Sequence, residues 1–170
     1  MHNANMNTDM PYAKEDLATK LSELLGSVVQ FKFLSQGYHW NVKGPEFYQF
    51  HEFFGEIYED AEESVDPLAE NIRKLGYSAP FALEDFLAMS CLDVRPVTED
   101  PIDMSRSLYD ANKRLLEKYM YAFKTAEGCN QQGVADFIAG RIDMHQKWHW
   151  MLETTVGEDS TQVKVIEVGG

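Results

Sequence analysis

Apolar residues recur at intervals of three and four along most of this chain, and nowhere do they alternate at two for long enough to build a sheet. That pattern restricts the fold to packed helices. A first helix is predicted over about residues 13–38, through Leu17, Leu21, Leu24, Leu25, Val28, Phe31, Leu34 and Tyr38. A second runs from Pro45 to about Leu75, through Phe47, Phe50, Phe54, Ile57, Tyr58, Ala61, Val65, Ala69 and Ile72. A third starts near Asp103 or Ser105 and ends about Glu127, and a fourth covers about 131–155. Between the second and third, residues 77–104 hold three prolines and the short apolar piece FALEDFLAMS, which predicts a small helix over 81–90.

The punctuation agrees with this division. Gly44 ends the first turn and Pro45 suits the first position of the next helix. Gly76 supplies a helix end, and residues 128–132 read as a turn. Gly26, inside the first helix, costs about 1 kcal/mol against alanine and marks a close approach of another element. Pro67 lies inside the second helix and predicts a kink over 63–67, because it removes a hydrogen bond while the periodicity continues unchanged. The expected fold class is all-α: a ferritin-like four-helix bundle with a short extra helix in the crossover between helices two and three. Residues 1–12 are expected to be a flexible tail, 13–156 the bundle, and 157–170 a C-terminal arm or tail.

Composition narrows the function. A chain of 170 residues suits one domain with a sizeable core. The 28 Asp and Glu outweigh 15 Lys and Arg, a net charge of −13 that opposes binding to nucleic acid or anionic membranes and favours cations. Cys91 and Cys129 form no CxxC and no disulfide framework. No signal peptide and no apolar run of about 18 residues is visible, so the expected compartment is the cytoplasm. Phosphate loops, dinucleotide fingerprints and nucleophile elbows are absent, as are the Glu-x-x-His pairs of larger di-iron bundles.

Four residues carry the chemistry: His39 and His51, flanking the break between the first two helices, and Asp66 and Glu70, one turn apart further along the second. Singly, each has an ordinary reading. A histidine near a helix end caps or packs, and the carboxylates belong to a solvated face with Glu59, Asp60, Glu62 and Glu63 close by. Together, two imidazoles and two carboxylates make a first shell for iron or another first-row divalent metal. Reach adds a constraint. Fifteen residues of unbroken helix span roughly 22 Å at 1.5 Å per residue, so His51 and Asp66 of one chain cannot meet at one ion. A site using all four must be shared between two chains.

These residues stand in a recognisable context. The stretch YHWNVKGPEFYQFHEFF followed by VDPLAENIRKLG resembles the signature of the Dps proteins, the mini-ferritins. The match falls on His39, Trp40, Asn41, Val42, Gly44, His51, Glu52, Asp66, Ala69, Glu70 and Ile72, with His145 and the Trp-Met-Leu at 150–152 further on. It covers about residues 14–155. The resemblance implies a ferroxidase centre across a two-fold interface, with His39 and His51 from one chain and Asp66 and Glu70 from its partner. It implies oxidation of Fe2+ by hydrogen peroxide or dioxygen and storage of ferric mineral in a hollow homo-oligomer, a dodecamer built from two-fold dimers, protecting against oxidative damage. Zinc or manganese in place of iron is the alternative metal. Trp40 is expected to take up stray oxidising equivalents, or to pack at the interface. Asp136, aligned by Trp150, is expected at an iron entry pore, where Gln131 replaces a second acid.

This chain departs from the pattern at three places. Gly55 stands where many relatives carry an acid, which leaves the second iron position to water, Glu52 or Glu56. Asn71 replaces the usual arginine, removing a salt bridge, and Pro67 directly follows Asp66. His145 and His149 share a helix face at i, i+4 and read as packing residues before a second metal pair. Met89, Met104, Met120, Met144 and Met151 read as core or interface fill. Two other functions compete: a DNA-compacting relative, disfavoured because residues 1–13 contain no Lys or Arg, while residues 153–170 hold Lys164 alone against Glu153, Glu158, Asp159 and Glu167; and a helical shell whose metal site has decayed.

Overall fold

The computed structural model describes residues 10–93 and 100–157. Five helices follow one another: α1 Met10–Asn41, α2 Phe47–Lys74, α3 Leu83–Met89, α4 Pro101–Gly128 and α5 Gln132–Val156. No strand occurs among the described residues. The all-α reading and the short helix in the crossover both hold. α1 opens at Met10, inside the stretch expected as a tail; the rest of the expected tails, 1–9 and 158–170, lies outside the described residues.

Cross-helix contacts give the directions. His39 meets His51 and Lys32 reaches Glu62, so α1 and α2 are antiparallel. Tyr38 bonds Ser107 and Lys118 bonds Glu23, so α1 and α4 are antiparallel too. Asn112 bonds His145 while Tyr109 bonds Glu153, which runs α5 against α4. α2 and α4 therefore point the same way, and the crossover with α3 carries the chain back along the bundle. The core is the apolar stripe of each long helix: Leu17, Leu21, Leu24 and Phe31 from α1, Phe54, Ile57 and Leu68 from α2, Leu108 and Leu115 from α4, and Ile138 and Leu152 from α5 are all buried. Each such side chain contributes roughly 2 kcal/mol of burial.

The helix ends have explicit chemistry. Gly76, at φ +95°, closes α2: its N–H donates to the Arg73 carbonyl and the Tyr77 N–H to the Ile72 carbonyl. Asn130, at φ +57°, ends α4 with the same pair of bonds, to Glu127 and Ala126. Asp100 opens α4, its Oδ1 accepting from the N–H groups of Ile102 and Asp103, with Pro101 next. The start of α2 differs from expectation. Its first helical residue is Phe47, and Pro45 stays in the turn after Gly44, whose φ is +120°. α2 continues through Pro67 as one helix. Gly26 does mark a close approach: a Cβ there would lie 2.6 Å from the backbone oxygen of Phe86 in α3.

Candidate metal centre

The turn after α1 folds the last turn of one helix onto the first turns of the next. Val42 is buried and its N–H still donates to the Tyr38 carbonyl, so the helix is anchored up to the reversal. His39 and His51 then stack, with ring centroids 3.7 Å apart and planes 20° apart. Each ring bonds to the other residue's backbone: His39 Nδ1 lies 2.6 Å from the His51 carbonyl oxygen, and His51 Nδ1 lies 2.7 Å from that of His39. A carbonyl only accepts, so each Nδ1 carries the hydrogen, and each neutral ring keeps its lone pair on Nε2. An imidazole that donates through one nitrogen to a carbonyl is oriented to ligate through the other. The lone pairs lie in the ring planes. With planes nearly parallel, they do not meet at one ion unless a ring turns.

Three neighbours hold the pair. Phe47 stacks on His51 with centroids 5.0 Å apart, and Tyr58 meets His39 edge-on at 5.2 Å. Gly55 is the floor: a Cβ there would come within 3.2 Å of His39 Nδ1. The departure noted at residue 55 thus has a steric consequence, because the bare glycine admits the ring. In the sequence Tyr58 figured only in the apolar pattern of the second helix; its position seven residues after His51 was the available signal.

Asp66 and Glu70 stand elsewhere. Both are exposed on α2, and α2 is helical without interruption from His51 to Asp66. The structure brings the two histidines together and leaves the two carboxylates about four turns away along the same helix. Among the described residues, no group of three or more His, Cys, Asp or Glu within the chain could hold a metal ion. Asn71 turns inward instead of reaching a carboxylate: it is buried, and its Nδ2 donates to the Pro67 carbonyl at 2.9 Å. Trp40 is 64% exposed. Glu52, Glu56 and Asp136 are exposed as well.

The remaining described histidines have other work. His145 is fully buried, donates from Nδ1 to Asn112 Oδ1 at 2.6 Å, and has Nε2 3.4 Å from an Arg141 nitrogen. Burial, reinforced by the Arg141 charge, pushes its pKa down to about 3. Arg141 grips Asp60 with two bonds of 2.8 and 2.7 Å, and the Trp148 indole N–H donates to the same carboxylate at 2.9 Å. Burial alone would raise Asp60, but the bonds and charge of Arg141 outweigh it and hold the carboxyl below its ordinary range. His149 stacks on Tyr109 at 4.8 Å, with Nε2 4.0 Å from Glu153 and Nδ1 buried without a partner. Both histidines of the i, i+4 pair are thus engaged by side chains of α4. The Asp60–Arg141–His145 network was not foreseen, although Asp60 sits three after Ile57 and four before Ser64, in the buried stripe.

Comparison with known proteins bears on the fold. The ferritin-like domain pattern matches residues 18–161. An uncharacterised protein of Haemophilus influenzae is 31% identical over 138 residues, covering 81% of this chain and 86% of that protein. The DNA protection during starvation protein of Brevibacillus brevis is 29% identical over 116 residues, 68% of this chain and 78% of the relative. Among solved structures, the Dps protein of Vibrio cholerae O1, described as a member of a broad superfamily of ferritin-like diiron-carboxylate proteins, superposes with a TM-score of 0.81 at 27% identity, over 85% of this chain and 91% of that one.

Proposed function

The chain belongs to the Dps family of ferritin-like proteins, and from that premise we propose that it is a ferroxidase and iron store. It binds Fe2+ where two copies meet, oxidises it with hydrogen peroxide or dioxygen, and holds the ferric product inside a hollow homo-oligomer, limiting oxidative damage. One observation carries the reading. His39 and His51 each donate through Nδ1 to the other's backbone, which leaves two preset Nε2 lone pairs, while among the described residues no group of three or more His, Cys, Asp or Glu closes a metal site within one chain.

A two-fold partner supplies what is missing. Asp66 and Glu70 of a second copy, running antiparallel to the first, reach the histidine pair that their own chain cannot. Near-parallel rings suit one ion each, with a carboxylate between them. Imidazole accepts the ferrous substrate, and the anionic oxygens favour the ferric product. Two ferrous ions give one electron each to peroxide, whose O–O bond breaks to two waters as two protons are taken up, so no hydroxyl radical is released.

The test loads the protein anaerobically with Fe2+, adds peroxide and follows oxidation beside a His51→Ala, Glu70→Ala double variant. The wild type is expected to oxidise at least tenfold faster; equal rates sink the reading. Mixing the two single variants adds a check on sharing. One of the two sites in each mixed dimer is then intact, so activity returns on mixing if the site is shared, and stays absent if each chain builds its own.

A further inference from the structure

Residue 55, on the face of α2 below the histidines, is glycine and carries no carboxylate. The adjoining space belongs to the His39 ring, within 3.2–3.4 Å of where a Cβ would stand. Glycine offers no anionic ligand to a second ion there, so on the ferroxidase reading a site holding a single ferrous ion is expected at low iron. Peroxide takes two electrons on the way to water or hydroxide, whereas one ferrous ion gives one. The other must come from a group beside the ion.

Tyr58 is that group by position. Its ring meets the His39 ring at 5.2 Å with planes 64° apart, in direct contact with the imidazole that faces the ion. Its hydroxyl points to Glu59 Oε1 at 3.4 Å, a carboxylate able to take a proton. Trp40, the sequence neighbour of His39, is 64% exposed, and among the described residues no ring contact ties it to either histidine.

We infer that Tyr58 supplies the second electron to peroxide when the shared site holds one ferrous ion. The inference rests on the ferroxidase reading. The step balances: the O–O bond breaks and leaves as two hydroxide ions, the ferrous ion loses one electron, Tyr58 loses the other to become a phenoxyl radical, and its proton passes to Glu59. A tyrosyl radical stays within the protein, whereas a singly reduced peroxide would release hydroxyl radical.

The experiment is freeze-quench electron paramagnetic resonance on the assembled protein, loaded anaerobically with one Fe2+ per two-fold site and then mixed with peroxide. Wild type and a Tyr121→Phe control, altered at an exposed ring on α4, are expected to show a tyrosyl signal. Tyr58→Phe is expected to lose at least nine-tenths of it and to release severalfold more spin-trapped hydroxyl radical. Loading two Fe2+ per site is expected to suppress the signal in the wild type, since the metal then provides both electrons. An equal radical signal in Tyr58→Phe overturns the assignment, as does ferrous oxidation in the wild type with no protein radical. Ferrous oxidation no faster than in the His51→Ala, Glu70→Ala variant is a separate readout, and it overturns the ferroxidase reading and this inference together.

Discussion

At the scale of single residues, backbone and side-chain partners set what the ring nitrogens of three histidines can do. His39 and His51 are committed at Nδ1 and open at Nε2. His145 is engaged at both nitrogens. This last one gives a pH prediction. The unfolded chain binds a proton at His145 below its ordinary value of 6.5, while the folded chain resists until about 3. Stability from this group is complete above pH 6.5 and declines as pH falls toward 3, by up to about 1.4 kcal/mol per pH unit. Asp60, also held low, adds loss in the same direction at more acid pH. Urea midpoints between pH 7 and 5 are expected to fall for the wild type and to be flatter for His145→Gln; parallel curves would remove His145 as the cause. The histidines were visible as candidates from their identities. Their roles were not, because Asn112 lies 33 residues from His145.

At the scale of elements, the least secure piece is α3. It has no buried residue, and it lies on α1 where Gly26 leaves room for the Phe86 backbone. Gly26→Ala would force a methyl group to 2.6 Å from the Phe86 carbonyl oxygen, a contact with backbone that cannot swing aside. The helix gain of about 1 kcal/mol is expected to be outweighed by overpacking of roughly 1–3 kcal/mol. Thermal denaturation should show a lower midpoint, and protease cleavage within 78–93 should speed up; an unchanged midpoint would mean that α3 is not seated there. The close approach at Gly26 was legible as a possibility of one glycine in a long helix, but its partner was not. The kink expected at Pro67 came from the missing hydrogen bond. Flanking turns, packed through Leu68, Ile72 and Ser64, keep α2 helical across it.

At the scale of the whole molecule, one copy is an unfinished surface. Phe33, Trp40, Phe81, Leu83 and Leu87 are each more than half exposed, apolar surface that an interface between copies could cover. The second copy that the shared-site proposal calls for would also cover apolar surface. Phe81→Asp with Leu87→Asp is expected to shift sedimentation toward smaller species and to lower ferrous oxidation at least tenfold, with His39 and His51 untouched. A dissociated variant that kept full activity would refute a shared site. The net charge of −13 bears on the competing role. A gel shift at low salt is expected to show no retardation of duplex DNA, and clear retardation would restore the nucleic-acid function.

Taken alone, the order of residues determined the helices and the reach. Apolar spacing and Gly76 act within a turn or two of chain, so their effect can be read along one dimension, whereas the cap at Asp100 and Pro101 starts α4 ahead of the expected Asp103 or Ser105. The length of α2 between His51 and Asp66 is likewise a matter of counting residues at a constant rise. Only the tertiary structure decided which nitrogen of each histidine is free, that Gly55 is a floor for His39, that Tyr58 touches the pair, and that Asp60 is gripped by Arg141. These depend on how far each helix rotates and slides against its neighbour. Packing of the entire core sets that rotation, and no local stretch of sequence contains it.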